Sequence, residues 1–439
     1  MKYLTGISEG FHDAAKTILS EDGRIVYAGH SERYSEKKTD RWLSDLMPTN
    51  RGETVFYEKP FWKNTRLFYS GQKLVSRPGF DHYIPHHKSH MAASYYTRPF
   101  DEEPVSVVID AIGEWDTASI WFKGKKVWSM KYPVSLGLFY SAITDRIGLR
   151  ANRDEYITMA IAAWGQRKHK LEVRDLYHRG CRNLLLSATD EDLAASAQYV
   201  LEQEILKIMK RARKYSEYLC YSGGVALNCV ANTKIAPLFK DMWIFPNPGD
   251  AGSSLGAAAA VLGKRLQFDN MYLGYEIDRG FNPEAVVDYI LNHKICGIAT
   301  GKAEFGPRAL GNRSLIADPR YDLKNTVNTI KRRQKYRPFA PAILEEHFEE
   351  YFEGPKNEYM QFVCKARHDY TSVTHVDGSA RVQVVKQNGS ALRQVLEVFN
   401  DRTGCPMLLN TSLNIKDKPM VNNAAHAEDF ERLYNVKVF

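Results

Sequence analysis

Apolar positions in this chain fall into short, nearly continuous runs broken by polar turns, and elsewhere into the three-to-four spacing of a helix. Tyr3-Leu4-Thr5-Gly6-Ile7, Ala14 to Leu19 and Arg24 to Ala28 read as successive strands. Glu21-Asp22-Gly23 between the last two is a hairpin turn, because an Asp-Gly pair accepts the backbone geometry that tight turns demand. Val105 to Asp110 is a buried-strand pattern closed by a carboxylate, with Thr117 to Phe122 and Lys126 to Met130 behind it. Helical spacing dominates from Gly137 to Lys214. Tyr218 to Tyr221 and Met242 to Phe245 are short strands followed by glycine-bearing loops, and an Ala-rich helix runs from Ser254 to Leu262. Strands that end in Gly-rich turns and open into helices predict an α/β fold. Gly274, Asp278, Gly280, Asn282 and Pro283 cluster as a boundary, which divides the chain into residues 1–280 and 281–439. The second part has its own helix (Pro283 to Leu291) and strand (Cys296 to Ala299).

Composition narrows the class without choosing the chemistry. A chain of 439 residues exceeds one ordinary domain, and 44% hydrophobic with 26% charged residues suits a soluble globular protein. No run approaches the ~20 apolar residues that span a bilayer, and the opening MKYLTGISEG lacks a signal-peptide core. A cytoplasmic protein without a membrane partner is expected. Its six cysteines, at 181, 220, 229, 296, 364 and 405, form no CxxC pair, which argues for reduced thiols over a disulfide frame or zinc ribbon. The formal charge of +8 fits either ordinary solubility or an anionic partner such as nucleotide phosphate or nucleic acid.

Four constellations carry candidate chemistry. His12-Asp13, after the first strand, is a base with an orienting acid beside it, or a polar turn. In His86-His87-Lys88-Ser89-His90, a helix continuing to Tyr95 would put His86 and His90 on one face, able to share a metal. Asp110 and Asp250 are the carboxylates that would complete it. Two histidines with carboxylates suit iron, manganese or zinc better than magnesium alone; the plainer reading makes Asp110 a turn residue and Asp250 a helix cap. Gly223 and Gly224, ahead of Asn228, and Gly249 and Gly252 each follow a strand, where free backbone N–H groups suit phosphate. The last set is basic: Arg308, Arg313, Lys331 and Arg337, with Asn410 and Ser412 beyond. Tyr336 to Pro341 surrounds Arg337 with rigid apolar neighbours, as for a fixed cation that needs an anion. Residues 57–69 (YEKPFWKNTRLFY) interleave cations with aromatics, a composition that could stack a base and steer phosphates, or form a hydrophobic lid.

Together these motifs resemble the O-carbamoyltransferase family that modifies antibiotics and nodulation factors. The matching segments are His12-Asp13, HHKSH (86–90), SGGVALN (222–228), GDAGSSLGAA (249–258), EFGPRALGNRS (304–314), RPFAP (337–341), HVDGSARVQ (375–383) and LNTSLN (409–414). The resemblance implies an N-terminal transfer domain of ASKHA (actin-like ATPase) fold over 1–280. Over 281–439 it implies a YrdC-like domain that makes carbamoyl-adenylate from carbamoyl phosphate and ATP. It further implies that His86, His90, Asp110 and Asp250 hold an iron(II)-like ion, with Mg²⁺ accompanying ATP, and that His12 is the base on the acceptor hydroxyl. Gly223, Gly224, Asn228, Gly249 and Gly252 would border the nucleotide. Arg308, Arg313, Lys331, Arg337, Asn410 and Ser412 would bind carbamoyl phosphate and the ATP phosphates. The acceptor expected first is hydroxymethylcytosine in DNA, reached as a flipped or single-stranded base; a sugar, antibiotic or other small alcohol is the alternative. A homodimer is compatible with this reading. Ala111, Ile157, Ala160 and Lys302 depart from the family's usual residues; Ile157 and Ala160 fall where an acceptor pocket is expected.

Overall fold

The computed structural model describes residues 2–69, 79–174, 180–181 and 186–439. By internal contacts the chain forms two units: residues 1–28, 41–43 and 48–269, and residues 29–40, 44–47 and 270–439. Among the described residues no helix is long and apolar enough to cross a membrane.

The first unit is built from two five-stranded sheets of one topology. In the first, β1 (Tyr3–Ser8) pairs with β2 (Ala15–Ser20), beyond which lies β3 (Ile25–His30). On the other side of β1 come β4 (Glu53–Phe56) and β5 (His82–Tyr83), giving the order β3-β2-β1-β4-β5. The β1–β2 pair is antiparallel, and β1–β4 and β4–β5 are parallel. The second sheet repeats the plan with β6 (Val105–Ile109), β7 (Asp116–Phe122), β8 (Lys125–Lys131), β9 (Tyr218–Ser222) and β10 (Asp241–Ile244), in the order β10-β9-β6-β7-β8. There β6–β7 is antiparallel while β6–β9 and β9–β10 are parallel. This duplicated sheet is the core of the actin-like ATPase fold, so the expected ASKHA architecture holds for the N-terminal unit. All five residues of β6 are buried, which is why the sequence shows them as an unbroken apolar run.

After β5 comes the helix His86–Tyr95, and after β10 its counterpart, Ser253–Leu262. The two pack closely because the second is almost all small residues. A Cβ added at Gly256 would stand 1.8 Å from the Ser89 carbonyl oxygen, and one at Gly6 1.8 Å from that of Ser254. Glycine at these positions lets the Ser253–Leu262 helix nest between β1 and the histidine-bearing helix, with Ala257, Ala258 and Ala259 buried. Thr17 and Ser254 hydroxyls bond across the same seam at 2.9 Å.

In the second unit β11 (Tyr272–Ile277) pairs with β13 (Gly301–Glu304). A five-stranded mixed sheet runs β12 (Ile295–Ala299), β14 (Arg313–Ala317), β20 (Met407–Ser412), β15 (Ala340–Leu344) and β19 (Gln383–Val385). A small third sheet holds β16 (Phe352–Glu353), β17 (Cys364–Ala366) and β18 (Ser379–Ala380). Helices Pro283–His293 and Ala391–Thr403 supply Val286, Ile290, Leu396 and Phe399 to a core with Ile298, Ile316 and Leu408 of the mixed sheet. The segment between β13 and β14 is the arginine-rich motif, held as a loop between two strands.

Candidate metal centre and anion loop

The His86–Tyr95 helix places His86 and His90 one turn apart on a buried face, as the spacing predicts. Asp110 stands at the end of β6 and Asp250 in the turn after β10, so the end of one sheet and the entry to two helices converge. All four residues are buried, and one ligand atom from each lies within 4.8 Å of the others. His86 Nε2 is 3.0 Å from Asp110 Oδ2 and 3.5 Å from Asp250 Oδ1; His90 Nε2 is 3.6 and 3.3 Å from the same oxygens. The two Nε2 atoms are themselves only 3.0 Å apart.

The surroundings fix which atoms face inward. His90 Nδ1 lies 3.0 Å from the Pro248 carbonyl oxygen. A carbonyl can only accept, so Nδ1 carries a hydrogen and Nε2 is the nitrogen turned toward the cluster. Asp110 Oδ1 accepts the Gly224 N–H at 2.9 Å, which leaves Oδ2 for the centre. Burial pulls the His90 pKa down, yet hydrogen bonds to Asp110 and Asp250 outweigh it and raise it to about 9. Burial pushes the Asp110 carboxyl up, but the two histidines hold it well below the ordinary carboxylate range. One ring nitrogen of each histidine and two carboxylate oxygens converge on one point, and a divalent cation fits this donor set. Asp250 lies in a turn and Asp110 accepts a turn N–H, and both also face this cluster.

Around it, Glu114 is a residue the sequence did not single out. Its Oε1 accepts the backbone N–H of His86 at 2.9 Å and of Lys59 at 2.8 Å, fixing the start of the histidine helix. His87 does not face solvent: it is buried and its Nδ1 meets Ser119 Oγ at 2.7 Å. His12 Nδ1 bonds Asp13 Oδ2 at 2.9 Å, and the His12 side chain keeps 29% exposure, enough to meet a ligand. Burial lowers its pKa, but Asp13 first, then the charges of Asp250 and Asp110, raise it above the ordinary value.

The glycine loops differ from the expectation of free phosphate-binding amides. The N–H of Gly223 donates to the Pro248 carbonyl at 2.9 Å and that of Gly224 to Asp110, so both are spent in the surroundings of the His86-His90-Asp110-Asp250 cluster. Gly223 is required by its φ of 94° and by Ile109, whose carbonyl oxygen would lie 2.2 Å from a Cβ. Asn228 caps the Cys229–Ile235 helix through the Ala231 N–H at 3.0 Å and pairs with Gln198. Gly252 serves packing, since a Cβ there would meet the Asn247 carbonyl oxygen at 1.8 Å, whereas Gly249 has open space.

The basic set of the second unit divides in two. Arg313 is not an anion ligand. It is fully buried, and its guanidinium donates to the carbonyls of Thr300 (2.7 Å), Asn312 (2.8 Å), Tyr275 (2.9 Å), Gly301 (3.2 Å) and Asn422 (3.0 Å). All its donors are spent on backbone, and burial lowers its pKa to about 10. Lys331 is likewise spent: its buried Nζ donates to the Ser412 carbonyl and to the Asn414 carbonyl and side-chain oxygens, the latter two at 2.9 Å. Burial lowers its pKa well below the usual lysine range, with Arg333 and Arg337 adding to the effect. Ser412 Oγ is shared between Lys331 and Asn414. Asn410 donates to Ala309 at 3.1 Å and Gln383 at 2.6 Å. Arg308 and Arg337 are half-buried and keep some exposure. The loop itself is organised by Glu304, which reasoning from the sequence passed over: its buried Oε1 accepts the N–H groups of Leu310 (2.8 Å), Asn312 (3.0 Å) and Arg313 (3.2 Å). An acid opening an arginine-rich, glycine-broken motif was the signal available.

Comparison with known proteins identifies the family. The family described as carbamoyltransferase N-terminus matches residues 51–183 and 170–259, and carbamoyltransferase C-terminus matches residues 287–438. An uncharacterised Synechocystis protein, sll1178, is 30% identical, with 96% of this chain and 92% of its own length aligned. Nodulation protein NolNO of Sinorhizobium fredii is 31% identical over 79% of this chain and 61% of its own length. Nodulation protein NolO of Bradyrhizobium diazoefficiens is 31% identical over 78% and 75%.

Proposed function

The chain belongs to the carbamoyltransferase family, and on that premise we propose that it is an ATP-dependent O-carbamoyltransferase working in two half-reactions. In the first, carbamoyl phosphate, ATP and one water give carbamoyl-adenylate, phosphate and pyrophosphate in the YrdC-like region of 281–439: water releases phosphate and leaves carbamate, whose oxygen attacks the α-phosphorus of ATP and expels pyrophosphate. Arg308 and Arg337, with Asn410 beside them in the scheme, are the residues offered to the anionic substrates; Arg313 and Lys331 instead keep the loop and β20 in shape. In the second, the acceptor hydroxyl oxygen attacks the carbamoyl carbon in the region of 1–280, AMP leaves, and His12 takes the hydroxyl proton on Nε2 while Asp13 holds Nδ1. A divalent cation held by His86, His90, Asp110 and Asp250, iron(II) on family resemblance and donor set, supplies Lewis-acid stabilisation of phosphate oxygens. Adenylation is favourable chemistry because AMP is a far better leaving group than those of a plain carbamate.

The observation that supports this reading above all is the buried His86-His90-Asp110-Asp250 centre tied by Asp110 to the Gly223–Gly224 loop. The test is carbamoyl-phosphate-dependent release of pyrophosphate by the full chain, with AMP following once an acceptor is supplied. The His90→Ala variant is expected to lose bound metal and transfer together. Full transfer activity without bound metal would overturn the assignment. For the acceptor, hydroxymethylcytosine in DNA is tested by mass spectrometry of digested nucleosides, where a gain of one carbamoyl group is the positive result. A second acceptor, a small ring-bearing alcohol, is favoured by the burial of Lys63 and Arg66, each 8% exposed, in the segment first read as phosphate-steering.

A further inference from the structure

The helix that carries His86 and His90 has no cap of its own. His86 is its first residue, and Pro85 before it makes no side-chain cap bond. The first N–H groups of a helix lack an intrahelical partner, so a buried helix start must find one elsewhere. Glu114 supplies it: its Oε1 accepts the His86 N–H at 2.9 Å. A carboxylate suits that place, because the N-terminus is the positive end of the helix dipole. His86 is also a member of the four-residue cluster, so the bond that caps the helix holds the backbone of a candidate ligand.

Glu114 and Asp110 stand at the two ends of one loop. Residues 110–114 join β6 to β7, and the hairpin ladder closes across them. The Asp110 N–H meets the Thr117 carbonyl and the Gly113 N–H the Asp116 carbonyl, both at 2.9 Å. Gly113 leaves room for the histidines, since a Cβ there would stand 3.1 Å from His86 Cδ2 and 3.0 Å from His87 Cδ2. One loop thus packs against His86 at Gly113, binds its N–H at Glu114 and faces its Nε2 from Asp110 Oδ2, 3.0 Å away.

Glu114 is anchored in turn by the helix Pro60–Tyr69. The same Oε1 accepts the Lys59 N–H at 2.8 Å, and the Glu114 carbonyl accepts Arg66 Nε at 2.9 Å. Lys59 lies at the start of that helix and Arg66 about two turns further on, so Glu114 is gripped at two separate points. Arg66 is buried, and so is Lys63, whose Nζ donates to both oxygens of Glu58 at 2.8 and 3.1 Å. The helix is therefore seated by its cations.

We propose that Glu114 is a positioning residue for the cation centre: it fixes the backbone of His86 against Asp110, and the helix Pro60–Tyr69 holds it there. It acts through His86. The inference rests on the reading of His86, His90, Asp110 and Asp250 as a cation centre.

The experiment titrates the full chain with Co²⁺, following Kd by calorimetry and the ligand geometry by visible absorption. Glu114→Ala is expected to raise Kd about tenfold or more and to alter the spectrum. Glu114→Gln keeps an oxygen acceptor at the same reach and is expected to restore most of the affinity. Arg66→Met leaves the carboxylate and removes its anchor, and is expected to weaken binding in the same direction. Asn282→Ala, which removes the side-chain cap of the helix Pro283–His293 in the second unit, is the control for a lost cap as such and is expected to bind Co²⁺ like the parent. Should Glu114→Ala fail to fold, Glu114→Asp, one carbon short of both amides, carries the same expectation. Parent-like Kd and spectrum in the Glu114→Ala chain overturn the proposal, as does an equal loss in Asn282→Ala or no recovery in Glu114→Gln. Parent-like affinity in Arg66→Met overturns the anchoring by the helix. A parent chain that takes up no Co²⁺ sinks the cation centre and this inference with it, whereas uptake indifferent to Glu114 sinks the positioning role alone.

Discussion

At the scale of single residues, two arginines five positions apart in the same motif are placed differently, Arg313 fully buried and Arg308 half-buried. Arg313 spends its donors on five backbone carbonyls, and removing it strands those acceptors in a dry interior. Arg313→Ala is expected to cost about 3 kcal/mol or more in denaturant unfolding. Arg308→Ala, at a half-buried position, is expected to cost less stability than Arg313→Ala and to abolish carbamoyl-phosphate-dependent pyrophosphate release. An equal loss of stability in the two variants would contradict the division. Protons offer a further check on the metal centre. His90 is held near a pKa of about 9 by the carboxylates that would share the cation. Loading metal must displace such protons. Affinity for Zn²⁺ or Fe²⁺ is therefore expected to rise with pH and level off above about 9, as read by calorimetry in buffers of different ionisation enthalpy. The metal ligands were legible in the sequence because two histidines at helical spacing can face only one way once the helix forms. The role of Arg313 was not, because a sequence does not say whether a guanidinium will meet an anion or its own backbone.

At the scale of elements, the strands were readable wherever burial on both faces made them unbroken apolar runs, as in β6. The orientation of the Pro60–Tyr69 helix was not readable. Its pattern offers an apolar and a basic face, and only the neighbouring Glu58 and the Glu114 carbonyl decide that the basic one turns inward. Helix seating also depends on what is missing from side chains. Gly256 allows the Ser253–Leu262 helix to touch the Ser89 carbonyl, and a methyl group there would stand 1.8 Å from it. Gly256→Ala is expected to destabilise by about 3 kcal/mol through overpacking and to lower metal content, because His86 and His90 ride on the displaced helix. Gly280→Ala, with open space around its Cβ, serves as the control and is expected to change stability by no more than about 0.5 kcal/mol. Thermal melts and metal analysis of the two variants decide it.

At the scale of the whole molecule, a bound cation contributes to the folded state of the unit that holds it. Saturation at a hundredfold excess over Kd adds about 2.7 kcal/mol. A chelator is expected to lower the unfolding temperature of the metal-loaded chain, and His90→Ala to be insensitive to it. A chelator effect that survives in His90→Ala would place the metal elsewhere. The repeated sheet explains why such a centre exists in this form at all. His86 and His90 ride the helix that follows β5, while Asp250 precedes the equivalent helix after β10, and the two helices meet face to face. Were the halves separate copies of one polypeptide meeting across a dyad, every ligand would have to come twice, so one half could not supply both imidazoles while the other supplied both carboxylates. Linking the halves in a single gene product removes that obligation: one half is free to specialise in nitrogen donors and the other in oxygen donors. Chemical asymmetry at a nearly symmetric junction is thus what covalent duplication makes available, and an identical pair could not reach it.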